Sequence, residues 1–395
     1  MIAPGQPKAA MPPAHLLVVD DLEVNRDLLA RRVRHLGHSV GFAENGRQAL
    51  ERLRAEPYDL VLLDISMPDM DGYEALRQMK ADAALVHIPV VMVTAIDDTE
   101  SVVRCLELGA DDYLTKPFNP HVLRARIESS LSKKRYADQR QALLKALARE
   151  LEIGRRIQQG FLPDVLPALV GWRLAARCVP ARQVSGDFYD AFMLPDGELA
   201  LTVADVCDKG VGAALYMALF RSLLRAVACQ DSGLESAEDT LRRTVAFTND
   251  YIATVHGRDN MFATVFAAVL DPVTGRLDYI NAGHDPPMIR RHGETVPQRL
   301  PPAGPALGMM PGAVGHVVRT VTLAPGDTLF AFTDGLTEAI GADGPFGEQR
   351  TLDALLAGGP EASGIVEHIE TVLAAHVGEQ PAHDDITMLC LTRSG

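Results

Sequence analysis

Asp59-Leu60-Val61-Leu62-Leu63-Asp64-Ile65-Ser66-Met67-Pro68-Asp69-Met70-Asp71-Gly72 opens as a buried strand and ends on a carboxylate followed by a turn. Four aliphatic residues between aspartates have the length of a strand rather than of a helix. The pattern recurs on both sides. His15-Leu16-Leu17-Val18-Val19 runs into Asp20-Asp21, Ile88-Pro89-Val90-Val91-Met92-Val93 into Thr94, and Asp112-Tyr113-Leu114 into Thr115-Lys116-Pro117. Val40 to Ala43 reads as a further short strand, and helical patterns fall between the strands and after the last. Five such alternations within residues 15–134 predict an α/β domain, a doubly wound five-stranded parallel sheet covered on both faces.

In such a sheet the ligand site lies beyond the carboxyl ends of the strands. Those ends carry Asp20 and Asp21, Asp64, Thr94 and Lys116. Converging carboxylates repel, so the site calls for a hard cation such as Mg2+ and a nearby ammonium. The same two charges prepare a carboxylate to accept a phosphoryl group by neutralising the transferring oxygens. One aspartate ending one strand is an ordinary cap or turn residue. Four strand ends carrying Asp-Asp, Asp, Thr and Lys together are not explained that way.

Val18-Val19-Asp20-Asp21, the run Asp64 to Gly72, Thr94-Ala95 and Asp112-Tyr113-Leu114-Thr115-Lys116-Pro117-Phe118 together resemble a response-regulator receiver domain. The resemblance covers residues 15–134. It implies that Asp64 is the phosphoacceptor and that Mg2+ is held by Asp20, Asp21, Asp64 and the Ser66 backbone carbonyl. Lys116 would pair with the phosphoryl group, and Thr94 and Tyr113 would be the switch residues. It also implies a cis Lys116-Pro117 peptide and a cognate histidine kinase as phosphodonor.

Residues 135–165 read as a linker helix. Leu123, Ile127 and Leu131 recur at i, i+4 and i+8, and no proline follows until Pro163, so the last receiver helix is expected to run from about Asn119 to Phe161. Two heptad registers fit it equally. Positions 144, 147, 151, 154, 158, 161 and positions 143, 147, 150, 154, 157, 161 each place apolar residues at four of six sites. That is a weak coiled-coil signal. A long amphipathic helix is expected, and pairing of two copies into a homodimer through it stays open.

From residue 166 to 395 the texture turns β-rich. Glu198 to Val206, Phe262 to Leu270, Leu277 to Asn281, Thr328 to Thr333 and Ile386 to Leu391 read as strands, with a hairpin at Asp271-Pro272-Val273-Thr274-Gly275. Two long helical stretches interrupt them. Residues 210–229 are so apolar that their helix is expected to be buried. Asp187, Asp205, Asp334 and Asp384 each follow a turn or end a strand, as oxygen ligands for Mg2+ or Mn2+ do. Two such ions can activate a water for attack on phosphorus. Periodicity alone does not select these four from the other acids.

Five ordered motifs do. Ser185-Gly186-Asp187-Phe188-Tyr189-Asp190, Ala204-Asp205-Val206-Cys207-Asp208-Lys209-Gly210-Val211, Asn281-Ala282-Gly283-His284-Asp285-Pro286-Pro287, Phe332-Thr333-Asp334-Gly335-Leu336-Thr337-Glu338-Ala339 and Asp384-Asp385-Ile386-Thr387 resemble the SpoIIE/RsbU-like branch of the PPM protein phosphatases. The helix end Ile157-Gln158-Gln159-Gly160-Phe161-Leu162-Pro163 is similar to the one that precedes this domain in that branch. The resemblance covers about residues 155–392. It implies an αββα sandwich with two Mn2+ or Mg2+ ions between the sheets, held by Asp187, Asp205, the Val206 carbonyl, Asp334 and Asp384. Asp385 and Asp190 are further candidates, and His284 is expected to be structural. The activity implied is direct hydrolysis of phosphoserine or phosphothreonine. Asp208 stands where the branch commonly has glycine.

Composition narrows the partners. A net charge of -14 over 395 residues is a poor match for nucleic acid. The five cysteines are odd in number and scattered, without zinc spacing, as in a reducing cytoplasmic compartment. Residues 1–14, with Pro4, Pro7, Pro12 and Pro13, are expected to be a disordered leader. No apolar run is expected to be long enough to span a membrane. The function expected is that of a two-component response regulator with phosphatase output, acting on a phosphorylated anti-sigma-factor antagonist. The alternative is a receiver-controlled adaptor with an inactive phosphatase fold.

Overall fold

The computed structural model describes residues 12–94, 99–230, 236–312 and 315–395. Most of the expected leader lies outside the described residues. Ala14 lies within them, buried, its amide donating to His38 Nδ1 at 3.2 Å. The chain forms two compact units that divide between Leu147 and Ala148.

The first unit alternates strands β1 (His15–Val19), β2 (Ser39–Ala43), β3 (Leu60–Asp64), β4 (Val90–Thr94) and β5 (Asp112–Thr115) with helices α1 (Glu23–His35), α2 (Gly46–Ala55), α3 (Gly72–Ala81), α4 (Thr99–Glu107) and α5 (Pro120–Gln159). The strands pair in parallel in the order β2-β1-β3-β4-β5, as expected for a doubly wound sheet. Successive side chains alternate between its faces. Leu17, Val19, Val61, Leu63, Val90 and Met92 join one core, and Leu16, Val18, Leu60, Leu62, Val91 and Val93 the other. Each fully buried aliphatic side chain contributes about 1.5–3 kcal/mol, which is why strands covered on both faces read as continuous apolar runs. Local sequence sets the helix starts. Asn45 and Asp71 cap α2 and α3 by accepting from the amides of Gln48 and Glu74. Helix α5 buries Leu123, Ile127 and Leu131, whereas Leu143, Leu144 and Leu147 further along it are exposed.

The second unit holds strands β6 (Trp172–Val179), β7 (Phe188–Met193), β8 (Leu199–Val206), β9 (Ala263–Leu270), β10 (Arg276–Ala282), β11 (Met288–Arg290), β12 (Gln298–Arg299), β13 (Arg319–Thr322), β14 (Thr328–Phe332) and, after a small hairpin of β15 (Ile340–Gly341) and β16 (Gly344–Pro345), β17 (Ile386–Arg393). Its helices are α6 (Val211–Ala228), α7 (Ala237–Val255), the single turn α8 (Asp334–Thr337), α9 (Gly347–Ala357) and α10 (Ala362–Val377). Two antiparallel sheets, β13-β10-β9-β8-β7 and β12-β11-β14-β17-β6, face each other across a core that includes Leu201, Val203, Phe266, Ala331 and Leu389. Helices α6 and α7 cover the first sheet, and α8 to α10 the second. This is the expected αββα sandwich.

Two details differ from the sequence reading. Four long helices, not two, are present among the described residues: α6, α7 and, on either side of the break at Gly358-Gly359-Pro360, α9 and α10. Helix α6 is buried on one face only, with Val211 and Leu215 exposed on the other. By length and composition α6 is apolar enough to cross a membrane, against the expectation that no run would be. Here it covers a sheet, and its Arg221 and Arg225 bind Asp190.

Candidate functional site

The first unit places Asp20, Asp21, Asp64, Thr94 and Lys116 at the carboxyl ends of its strands. Among the described residues, Asp20, Asp21 and Asp64 form one set of three carboxylates with ligand atoms within 4.8 Å of one another. Lys116 Nζ stands 2.7 Å from Asp20 Oδ2 and 2.9 Å from Asp64 Oδ1. Asp20 Oδ1 accepts from the Leu22 amide and from Asn25 Nδ2, each at 3.0 Å, which orients its other oxygen toward the lysine. Burial raises Asp64 above the ordinary carboxylate range, against the pull of its hydrogen bond to Lys116. Burial also lowers Lys116, but its bonds to Asp20 and Asp64 outweigh that and leave it raised, hence a cation. Asp64 is covered rather than open, only 5% exposed, while Asp21 faces solvent. A divalent cation fits this donor set, since three carboxylates share one ammonium.

The loop after β3 depends on Gly72, whose amide donates to the Ile65 carbonyl at 2.9 Å. A methyl group at Gly72 would overlap the Asp64 carbonyl oxygen, so α3 can begin this close to Asp64 only on glycine. The Lys116-Pro117 peptide is cis, as expected. Thr94 is buried, and the Arg126 guanidinium lies over the Tyr113 ring, 5.7 Å from its centroid, while pairing with Asp112 at 2.9 Å.

In the second unit strand parity builds the site. The inward residues of β8 are Leu199, Leu201 and Val203, so the next inward position is Asp205. The same count along β14 leads from Leu329 and Ala331 to Thr333. Along β17 it runs back from Leu391 and Leu389 to Thr387 and Asp385, and along β7 from Ala191 and Tyr189 to Asp187. Because neighbouring strands are antiparallel, these positions meet at one end of the seam between the sheets. Thr333 Oγ1 donates to Asp187 Oδ2 at 2.6 Å and accepts from the Thr387 amide at 2.9 Å. Asp334 starts α8 directly after Thr333. A methyl group at Gly335 would overlap the Asp385 carbonyl oxygen, so Asp334 is brought this close to β17 only by a following glycine. Gly186 is constrained likewise, its absent Cβ lying 2.9 Å from the Val206 carbonyl oxygen.

These carboxylates disturb one another. Burial and then the Asp205 charge push Asp187 well above the ordinary range, with the Thr333 bond acting against them. Burial and then the Asp334 charge push Asp205 up to about 7, and burial and then the Asp384 charge push Asp334 up to about 6. Buried carboxylates that repel one another in this way call for a cation, and Mg2+ or Mn2+ fits their oxygen donors. The ligand atoms of this set are spread more widely than the 4.8 Å of the trio in the first unit, and Lys209 Nζ lies 2.7 Å from Asp384 Oδ2.

An expected result follows for the metal-free chain. Asp205 holds its proton in the folded state to about pH 7, whereas the unfolded chain has lost it near the ordinary value of 3.8. Between those values the folded state binds more protons, so this group lowers stability as pH rises. In chelator, Asp205→Asn is therefore expected to melt above the wild type, by a larger margin at pH 8 than at pH 5. Calorimetric melts across that range check it, and an Asn variant that melts lower throughout would contradict the packing of charges.

Two candidates are placed differently. Asp190 is three residues from Asp187 and so points to the opposite face of β7, toward α6, as Phe188 and Phe192 do. Its carboxylate is held at 3.0 Å by both Arg221 and Arg225, which removes it from the metal set. Asp385 faces the seam, but its Oδ1 accepts from the Ala181 amide at 2.7 Å and its Oδ2 from the Gly186 amide at 2.8 Å. It fastens the loop that carries Asp187. His284 is buried, 2.9 Å from Thr264 Oγ1, and burial lowers it to about 4, so it is neutral and structural. Asp208 has φ +71, in the left-handed region that favours glycine, and its Oδ1 accepts from the Lys209 amide at 2.8 Å. Thr333, Lys209 and Gln158 escape a sequence reading because what they touch is distant along the chain.

Comparison with known proteins agrees with both halves. The family model described as Stage II sporulation protein E (SpoIIE) matches residues 195–394, and that of the response regulator receiver domain matches residues 16–128. Protein IcfG of Synechocystis sp. is 43% identical over 269 residues, 62% of this chain and 42% of its own length. The probable transcriptional regulator ycf27 of Cyanidium caldarium is 44% identical over 117 residues, 30% of this chain and 46% of its own. The chain thus spans less than half the length of these curated relatives. Among solved structures, the SiaA-PP2C domain of Pseudomonas aeruginosa matches with a TM-score of 0.54 at 25% identity, over 64% of this chain and 98% of that one.

Proposed function

Because this chain belongs to the SpoIIE family and carries a response-regulator receiver domain, we propose that it is a two-component regulator whose output is a metal-dependent phosphoserine/phosphothreonine protein phosphatase. The observation that carries this reading is the gathering of Asp187, Asp205, Asp334 and Asp384 at one end of the inter-sheet seam, where burial and mutual repulsion raise three of them.

In this reading Asp187, Asp205, the Val206 carbonyl, Asp334 and Asp384 hold two Mn2+ or Mg2+ ions. Such ions supply a water of lowered pKa and positive charge for phosphoryl oxygens. Thr333 orients Asp187, and Asp385 keeps the Ala181–Gly186 loop in place. Lys209 pairs with Asp384 and so balances part of the charge of the carboxylate set. In the receiver, Asp64 accepts the phosphoryl group from a histidine kinase while Asp20, Asp21 and the Ser66 carbonyl hold Mg2+ beside it. Lys116 stays on the phosphoryl oxygens, and Thr94 and Tyr113 report the change. Residues 15–134 form the receiver, 135–165 the linker and 166–395 the phosphatase. The exposed Leu143, Leu144 and Leu147 support pairing of two chains through α5. The substrate is a phosphorylated anti-sigma-factor antagonist, and the free, scattered cysteines support a cytoplasmic setting.

The test is an assay of the purified chain with p-nitrophenyl phosphate and with a phosphoserine protein. Hydrolysis is expected with Mn2+ or Mg2+, is lost in excess chelator, and changes in rate after treatment with acetyl phosphate. Full activity in chelator overturns the metal mechanism. No hydrolysis with either metal favours the adaptor instead.

A further inference from the structure

We infer that Gln158, on the last turn of α5, is a positioning residue for the metal centre, and that through it the linker helix controls how well Asp187 is presented to a metal ion. The inference rests on the functional reading above and adds a means of control to it.

Gln158 is 8% exposed. Its side-chain amide grips the main chain of Ser185 at both polar atoms. Oε1 accepts from the Ser185 amide at 2.9 Å, and Nε2 donates to the Ser185 carbonyl. This pair lies 27 residues apart in sequence and two residues from Asp187. The grip passes on directly, since Ser185 Oγ accepts from the Asp187 amide at 3.0 Å. On the other side Gly186 donates to Asp385 Oδ2 and is pressed against the Val206 carbonyl oxygen. The segment Ser185-Gly186-Asp187 is therefore held by Thr333 at Asp187, by Asp385 at Gly186 and by Gln158 at Ser185. The first two come from the ends of strands. The third belongs to the linker helix.

The rest of the helix end is loosely seated. A cavity of about 340 Å3 lies between it and α6, bordered by Leu151, Gly154, Ile157, Phe161, Val211 and Leu215. Ile157, Val211 and Leu215 are largely exposed. The buried amide, which loses both partners if the helix shifts, is the specific attachment at this point. A residue that orients a ligand in this way ordinarily changes metal affinity about 10–100-fold when removed.

The experiment compares the wild type with Gln158→Leu, which keeps the bulk without either bond, and with Gln158→Glu, which keeps the acceptor for the Ser185 amide and loses the donor. Mn2+ affinity is read by titration calorimetry on the whole chain, alongside p-nitrophenyl phosphate turnover as a function of Mn2+. Gln158→Leu is expected to weaken Mn2+ binding about tenfold, with turnover at saturating Mn2+ within about threefold of wild type, and Gln158→Glu to fall between the two. A role confined to folding would lower the melting temperature and leave the Kd unchanged. Wild-type Mn2+ affinity in either folded variant overturns the inference. If Gln158→Leu does not fold, Gln158→Glu decides alone. A wild-type chain that binds no Mn2+ overturns the functional reading and this inference with it, whereas wild-type binding with unaltered variants overturns only the inference.

Discussion

Asp205→Asn is expected to lower the Mn2+-dependent hydrolysis of p-nitrophenyl phosphate by roughly 10^3-fold, about 4 kcal/mol of transition-state stabilisation. The reason is positional. Asp205 is the last inward residue of β8, and it exchanges charge repulsion with Asp334, Asp384 and Asp385 as well as sharing a contact with Asp187. An amide of the same shape keeps the packing and removes the charge that attracts a cation. The loss should therefore persist at Mn2+ concentrations that saturate the wild type, while the metal-free variant melts no lower than the parent. Activity and stability move in opposite directions, as they do where function stores strain. Wild-type turnover in this variant would remove Asp205 from the metal site.

Asp64→Asn is expected to reduce phosphoryl incorporation from a small-molecule donor by at least about 100-fold, because an amide oxygen is neither charged nor nucleophilic. The fold should survive. Asp64 is nearly covered, so a neutral isostere avoids the cost of burying charge, and Lys116 retains Asp20 at 2.7 Å. Mass spectrometry of the intact chain after incubation with acetyl phosphate checks the first half, and a thermal melt the second. Incorporation at the wild-type level would move the phosphoacceptor elsewhere. The phosphatase activity of the variant should remain while its response to the donor disappears.

Much of this was legible in the residues, for an identifiable reason. Aliphatic runs that end in Asp20, Asp64 and Thr94 state both a buried strand and its exit from the sheet, so one pattern reports fold and site at once. In the second unit Leu199 to Val206 and Thr328 to Phe332 were readable the same way. Strand β7 was not, because Phe188-Tyr189-Asp190-Ala191-Phe192-Met193 lacks a clean alternation, and without its register nothing separates Asp187 from Asp190. The structure separates them by face. Nor does any local signal announce that Arg221 and Arg225, one helical turn apart, close on Asp190. The pairing of Gln158 with Ser185 is equally silent, since a glutamine at a helix end is commonplace. Asp208 is the reverse case. The family resemblance marked it as unusual, and the positive φ supplies the reason glycine suits that position.

The inward residues of the sandwich have a consequence for its evolution. Val203, Ala331 and Leu389 fill the space between the sheets, and two residues further along the same strands and the same face stand Asp205, Thr333 and Thr387. The thickness of the core thus sets how far apart the proposed metal ligands of the two sheets stand. A larger residue at Ala331 would not only crowd the interior but move those ligands apart, and a smaller one at Val203 would let them approach. Drift in the hydrophobic interior would therefore change the spacing of those proposed ligands, so on this reading the interior is less free to vary than that of a fold whose active site sits on loops.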